Sequence, residues 1–120
     1  MLYRHSSEMF TQHNEAMRGG KGTVTVKHLL KPDELLDKGR LFAELTVPPG
    51  ASVGLHRHEG DVEAYYILQG RGRHLNNEDV YEVEAGDLTL VDDHHSHGIE
   101  NTGDTPLKLI GLILFTGERK

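Results

Sequence analysis

The segment HRHEGDVE, residues 56 to 63, sets two histidines one residue apart and a glutamate five positions after the second. Imidazole nitrogen and carboxylate oxygen are the donors that borderline divalent cations prefer. Side chains alternate across a β-strand, so a strand here points His56 and His58 to one face and Arg57 to the other. Residues 59 to 62 then read as a short hairpin loop. Glu63 opens the returning strand, where it can neighbour the histidine pair. Glu59 is a rival donor, but its strand parity is opposite. The same trio is also what a solvated polar strand carries. A distant partner matters for that reason: in GDLTLVDDHHSHGIEN, His97 opens another strand after the Gly86–Asp87 turn.

The elements that must position these side chains are short runs of β-branched and apolar residues. They are Thr23–Leu30, Leu41–Val47, Ala51–His58, Glu63–Gln69, Arg71–Leu75, Val80–Glu84, Leu88–Val91, His97–Asn101 and Leu107–Phe115. The separators PDELLDKG, PPG, EGD, QG, NNED, AGD, DDHH and TGDT supply the Gly, Pro, Asn and Asp that chain reversals need. Leu41 to Val47 alternates with period two, as a half-buried strand does. Only PDELL suggests a helical turn within the body. Many short strands at near-even spacing predict an all-β sandwich or small barrel. Residues 1 to 22 read as an N-terminal arm, with a short helix over Glu8–Met17 ended by Gly19 and Gly20. Residues 23 to 116 form the barrel of one domain.

Composition narrows the function. At 120 residues the chain can bury a core of its own, and with no cysteine it has neither disulfides nor thiolate metal sites. A formal net charge of −6 and the absence of tryptophan argue against nucleic acid as a partner. LKLIGLILF, the most apolar run, is too short to span a bilayer, so no membrane role is expected. The opening MLYRHSSEMF lacks the apolar centre of a signal peptide, and a cytoplasmic location is the expectation. The 9 histidines are many for this length, though their number alone assigns no role.

From Gly50 to Gly70 the spacing G-(five)-H-x-H-(four)-E-(six)-G is carried by Gly50, His56, His58, Glu63 and Gly70. This resembles the first motif of the cupin superfamily at every position. Gly86, His97 and Asn101 match the second motif, G-(five)-P-x-G-(two)-H-(three)-N. The resemblance covers about half the chain and implies a double-stranded β-helix, the jelly-roll barrel of small single-domain bacterial cupins. It further implies a divalent metal held by His56, His58, Glu63 and His97, with Mn, Fe, Ni or Zn suited to such donors. Two positions depart from the motif: its proline is Asp92 and its second glycine is His94. The backbone path of DDHHSH is therefore open.

Tyr65 shares the parity of Glu63 and can offer its hydroxyl to a bound molecule. His95 shares that of His97 and is a candidate pocket residue. Asp61, Asp92 and Asp93 read as turn formers, and His28 and His74 as structural histidines. The resemblance implies a small-molecule ligand, such as an organic acid or a sugar-like metabolite. It is compatible with dioxygenase, decarboxylase, isomerase or lyase chemistry and equally with a non-catalytic binding or sensing module, because the fold hosts all of these. It also implies a homodimer. The polar arm either crosses to the partner or folds back on its own barrel.

Overall fold

A computed structural model describes residues 1–76 and 79–117. Ten strands follow in order: β1 (Thr11–Glu15), β2 (Thr23–Leu30), β3 (Gly39–Val47), β4 (Ser52–Arg57), β5 (Asp61–Gln69), β6 (Arg71–Asn76), β7 (Asp79–Glu84), β8 (Leu88–Val91), β9 (Ser96–Asn101) and β10 (Leu107–Phe115). They form a six-stranded sheet ordered β1-β2-β3-β10-β5-β8 and a four-stranded sheet ordered β4-β9-β6-β7. All described pairings are antiparallel. This is the expected jelly roll. Consecutive strands repeatedly change sheets, so each sheet is closed by residues far apart in sequence. The centre of the expected NNED turn lies outside the described residues. Among the described residues no helix is long and apolar enough to cross a membrane.

The interior is divided between a greasy half and a polar half. Val24, Val26, Ala43, Leu45, Val47, Val53, Ile67, Ile99, Leu107 and Leu109 pack into one cluster between the sheets. The division runs along single strands. On β5 the inward residues change from Asp61 and Glu63 to Tyr65 and Ile67, and on β9 from His97 to Ile99. Period-two alternation keeps all of them inside, so the polar end is anchored by the same strands that build the core.

Three expectations are corrected. The segment Glu8–Met17 is not a helix: β1 occupies Thr11–Glu15, between short 3-10 turns at Ser6–Glu8 and Met17–Gly19. The physical reason is the open edge of β2. Pairing Thr11 with Lys27 through Glu15 with Thr23 satisfies backbone groups that a helix would leave bare on that strand. Phe10 stacks on the His28 ring at a centroid distance of 5.5 Å, and Met17 packs against the core. The arm therefore folds back on its own sheet. Asp61 is the second correction. It starts β5 instead of turning a hairpin, and it is buried. Third, β4 and β5 lie in different sheets, so Glu63 faces the histidines across the barrel interior and not along a hairpin ladder.

A bulge in β4 decides which residues face inward. Val53 pairs with Ile99 and His56 with His97, so three steps on β4 oppose two on β9. Strict alternation from the buried Val53 would turn Leu55 inward and His56 outward. The extra residue reverses this, leaving Leu55 56% exposed and His56 inside. Gly54 sits at the bulge because no Cβ fits there: one would lie 2.7 Å from the Gly20 amide nitrogen and collide with the Arg18 carbonyl. The bulge is thus also where the arm docks. Lys21 N donates to Ser52 Oγ at 3.0 Å, and Ser52 N donates to the Lys21 carbonyl at 2.9 Å.

Candidate metal centre

Four donors from both sheets meet in the polar half. His56 comes from β4, His58 from the residue after it, His97 from β9 directly opposite His56, and Glu63 from β5. One donor atom from each lies within 4.8 Å of every other. Glu63 Oε1 is 2.9 Å from His97 Nε2, 3.1 Å from His58 Nε2 and 3.6 Å from His56 Nε2. The Nε2 atoms of His58 and His97 are 3.1 Å apart. Two imidazole lone pairs cannot face each other at that distance without a proton or cation between them. Two nitrogens bound at about 2.1 Å to one ion, on adjacent vertices, are separated by roughly 3 Å. The donor set and its spacing fit a divalent metal.

The outer ring nitrogens show why the inner ones are free to bind. His56 Nδ1 donates to the Gly54 carbonyl at 2.8 Å, using the oxygen that the bulge presents. His58 Nδ1 donates to Asp61 Oδ1 at 2.6 Å. His97 Nδ1 lies 2.8 Å from His74 Nε2, so a His97 proton on Nδ1 is accepted there and leaves Nε2 open. Each bond fixes a tautomer with its lone pair aimed at Glu63. Asp61 is held in turn, since Arg40 Nε donates to its Oδ2 at 2.7 Å.

The electrostatics match this reading. Glu63 is 3% exposed, and burial alone would raise its pKa. In the metal-free centre protons on the facing Nε2 atoms take the cation's place, and the hydrogen bonds they make from His56, His58 and His97 outweigh burial and hold the carboxyl well below the usual range. His58 is lowered by burial but raised more by Glu63 and Asp61, and ends above its ordinary value. His97 ends below its ordinary value, mainly through burial. His74, 2% exposed, is lowered to about 4 by burial and then by the charge of His97. Tyr65 stacks on the His97 ring at 4.9 Å with its hydroxyl beside Glu63, and burial pushes its pKa well above the ordinary phenol value.

Asp61, His74 and Arg40 were not identified by sequence as part of this centre. His95 is not brought into it: the residue is exposed, and its Nδ1 donates to the Asp93 carbonyl at 2.9 Å. Glu59 is also exposed, paired with Arg57 outside the barrel. Asp93 does more than turn the chain. Its Oδ1 accepts from Gly60 N at 2.7 Å and its Oδ2 from Thr116 Oγ1 at 2.9 Å, tying three loops together at the barrel mouth. His94 adopts φ 68°, the left-handed conformation that the motif's glycine would supply. The loop keeps that turn without glycine, at a cost of about 1–2 kcal/mol. Asn101 is structural: its Nδ2 donates to the carbonyls of Val47 and Thr105, each at 2.8 Å.

A cavity of about 80 Å³ opens onto the centre, lined by Met17, Arg18, Arg40, Leu41, Leu45, Val53, His56, Glu63, Tyr65 and Ile113. It is far below the roughly 300–1,000 Å³ of pockets for drug-sized ligands. A roomier hollow of about 410 Å³ touches His74 on its far side but none of the four donors.

Two outcomes follow from these contacts. Asp61→Asn keeps an acceptor for His58 but removes the charge, and should weaken metal affinity by about 10- to 100-fold in a chelator competition; unchanged affinity would show that Asp61 does not tune the centre. In the metal-free protein, unfolding exposes His74, which then binds a proton below its ordinary pKa of 6.5 that the folded chain resists down to about 4. Stability should therefore fall as pH drops through that window, by on the order of 3 kcal/mol from this group. His97 adds to the loss and His58 opposes it. Thermal melts at stepped pH should show the decline, and His74→Phe should flatten it.

Comparison with known proteins agrees with the geometry. Residues 43–114 match the cupin domain family. An oxalate-binding protein of Thermotoga maritima is 49% identical over 110 residues, spanning 91% of this chain and 90% of that protein. A crystal structure from Thermotoga maritima, described as a predicted oxalate decarboxylase, superposes with a TM-score of 0.90 at 46% identity, covering 97% of this chain and 100% of the other. A cupin-2 domain from Rhodospirillum rubrum shares the fold at 21% identity, with a TM-score of 0.76 over 99% of this chain and 77% of its own. With both motifs, the barrel and the four converging donors in place, the chain belongs to the cupin family.

Proposed function

We propose that this protein binds a small organic acid, oxalate foremost, at a divalent metal held by His56, His58, Glu63 and His97. The observation that carries this reading is the joining of a four-donor cluster to a cavity of only about 80 Å³. A divalent ion there supplies positive charge and open positions for the oxygens of an acid. The space suits a molecule of a few non-hydrogen atoms and disfavours a sugar. The name of the Thermotoga maritima oxalate-binding relative supports the same class.

Binding is favoured over turnover by the character of the wall. Decarboxylation needs a proton delivered to the product carbon. Among the described lining residues the one carboxylate is Glu63, which the imidazoles hold ionised. Tyr65 keeps its proton tightly, because ionising beside Glu63 in a buried site is costly. Titration calorimetry of the manganese-loaded protein with oxalate should give saturable binding that disappears on removal of metal or in His56→Ala, with no carbon dioxide released. Failure of the loaded protein to bind any small carboxylate would sink the proposal.

The outer face of the six-stranded sheet supports pairing with a second copy. Tyr66 and Leu68 of β5, Leu88 and Leu90 of β8, and Leu114 of β10 are all exposed on it. Tyr66 lies opposite Leu88 and Val62 opposite Leu114, so these side chains form one continuous apolar surface. A two-fold pairing would bury this face against itself. Light scattering should report a dimer, and Leu88→Glu with Leu90→Glu should shift it to monomer; a monomeric wild type would refute the assignment.

A further inference from the structure

We propose that Arg18, brought to the cavity by the N-terminal arm, selects dianionic acids over monoanionic ones at this centre. The inference rests on the organic-acid reading above and gives it a specificity determinant.

Two cations line the small cavity, Arg18 and Arg40. Arg40 is committed, because its Nε donates to Asp61 Oδ2 at 2.7 Å. Among the described residues Arg18 has no hydrogen-bond or ion-pair partner, although its charge reaches the buried Tyr65 hydroxyl. The other non-donor walls are mostly Met17, Leu41, Leu45, Val53 and Ile113, which offer nothing to an anion.

The position of Arg18 is built, not incidental. The residue adopts φ 54°, ψ 32°, and Ala16 two positions earlier adopts φ 52°. Left-handed conformations at two non-glycine residues in one short turn are unfavourable and persist only where the surroundings enforce them. Enforcement is visible here. Ala16 N donates to the Gly22 carbonyl at 2.8 Å, Met17 is packed on the core, and the backbones of Gly20 and Gly54 approach so closely that neither tolerates a side chain. Arg18 is exposed, so it meets the cavity from the solvent side while its backbone is held in place.

Charge balance gives the arrangement a purpose. Asp61 cancels Arg40. A divalent ion and Glu63 together leave one net positive charge, which a monoanion cancels and a dianion overshoots by one. In a cavity walled by apolar side chains an uncompensated charge is costly. Arg18 supplies the missing cation, and its planar fork suits the carboxylate oxygens turned away from the metal.

The experiment compares oxalate, a dianion, with glycolate, a monoanionic chelator, by calorimetry on the manganese-loaded wild type, Arg18→Gln, Arg18→Lys and Arg57→Gln. Arg18→Gln should lose roughly 10- to 100-fold in oxalate affinity, the scale of a charge-assisted hydrogen bond. Glycolate affinity should not fall, because its complex is already neutral without Arg18, and the affinity for manganese alone should stay near wild type. Arg18→Lys should recover part of the oxalate loss. Arg57→Gln removes an outward-facing charge and should leave both acids unaffected. Equal oxalate affinity in wild type and Arg18→Gln, or an equal loss for both acids, would overturn the role of Arg18 alone. A wild type that binds neither acid would overturn both this inference and the organic-acid reading.

Discussion

A carboxylate buried inside a protein must be neutralised or given partners, and Glu63 is given partners. The polar contacts at its end of the barrel interior follow from that requirement. Three imidazoles converge on one of its oxygens, and each imidazole is oriented by something behind it: a bulge carbonyl for His56, Asp61 for His58 and His74 for His97. Asp61 then needs Arg40. The result is a shell of hydrogen bonds behind the centre in which each member is oriented by the next. The apolar half of the barrel holds the same strands in register.

The donors themselves were legible in the sequence because their recognition needs only local parity and spacing. His56, His58 and Glu63 lie within one short segment, and His97 carries the second motif. What lies behind the donors was not legible. Asp61 looks like a turn former because an aspartate next to glycine usually is one, and only the early start of β5 turns it inward. His74 resembles any strand histidine until β6 is placed beside β9, where its ring meets that of His97. Arg40 becomes relevant only through Asp61. The roles of His74 and Arg40 depend on approach between strands distant in the chain, and that of Asp61 on where β5 begins; no residue pattern encodes either.

The fold divides in the same way. Strand positions followed from alternation and turn chemistry, and most predicted strands match the observed ones to within a few residues. The arm did not follow, because local propensity there competes with an edge strand in need of a partner. His94 shows a different limit. The motif's glycine is missing, yet the backbone turn that glycine would permit is retained. Three hydrogen-bonded loops around Asp93 hold the turn, so the conformation belongs to the loop and not to the residue.

The bulge in β4 turns chain length into chemistry. Between Val53 and His56 the strand carries one residue more than its partner, and that surplus alone puts an imidazole where Leu55 would otherwise point. A one-residue deletion there would restore plain alternation and still leave His56 inward, but it would remove the Gly54 carbonyl that orients the ring and the close backbone contact where the arm docks. The surplus residue therefore serves two masters at once: its carbonyl aims the His56 ring, and its bare Cα is the seat against which Gly20 and Arg18 of the arm are pressed.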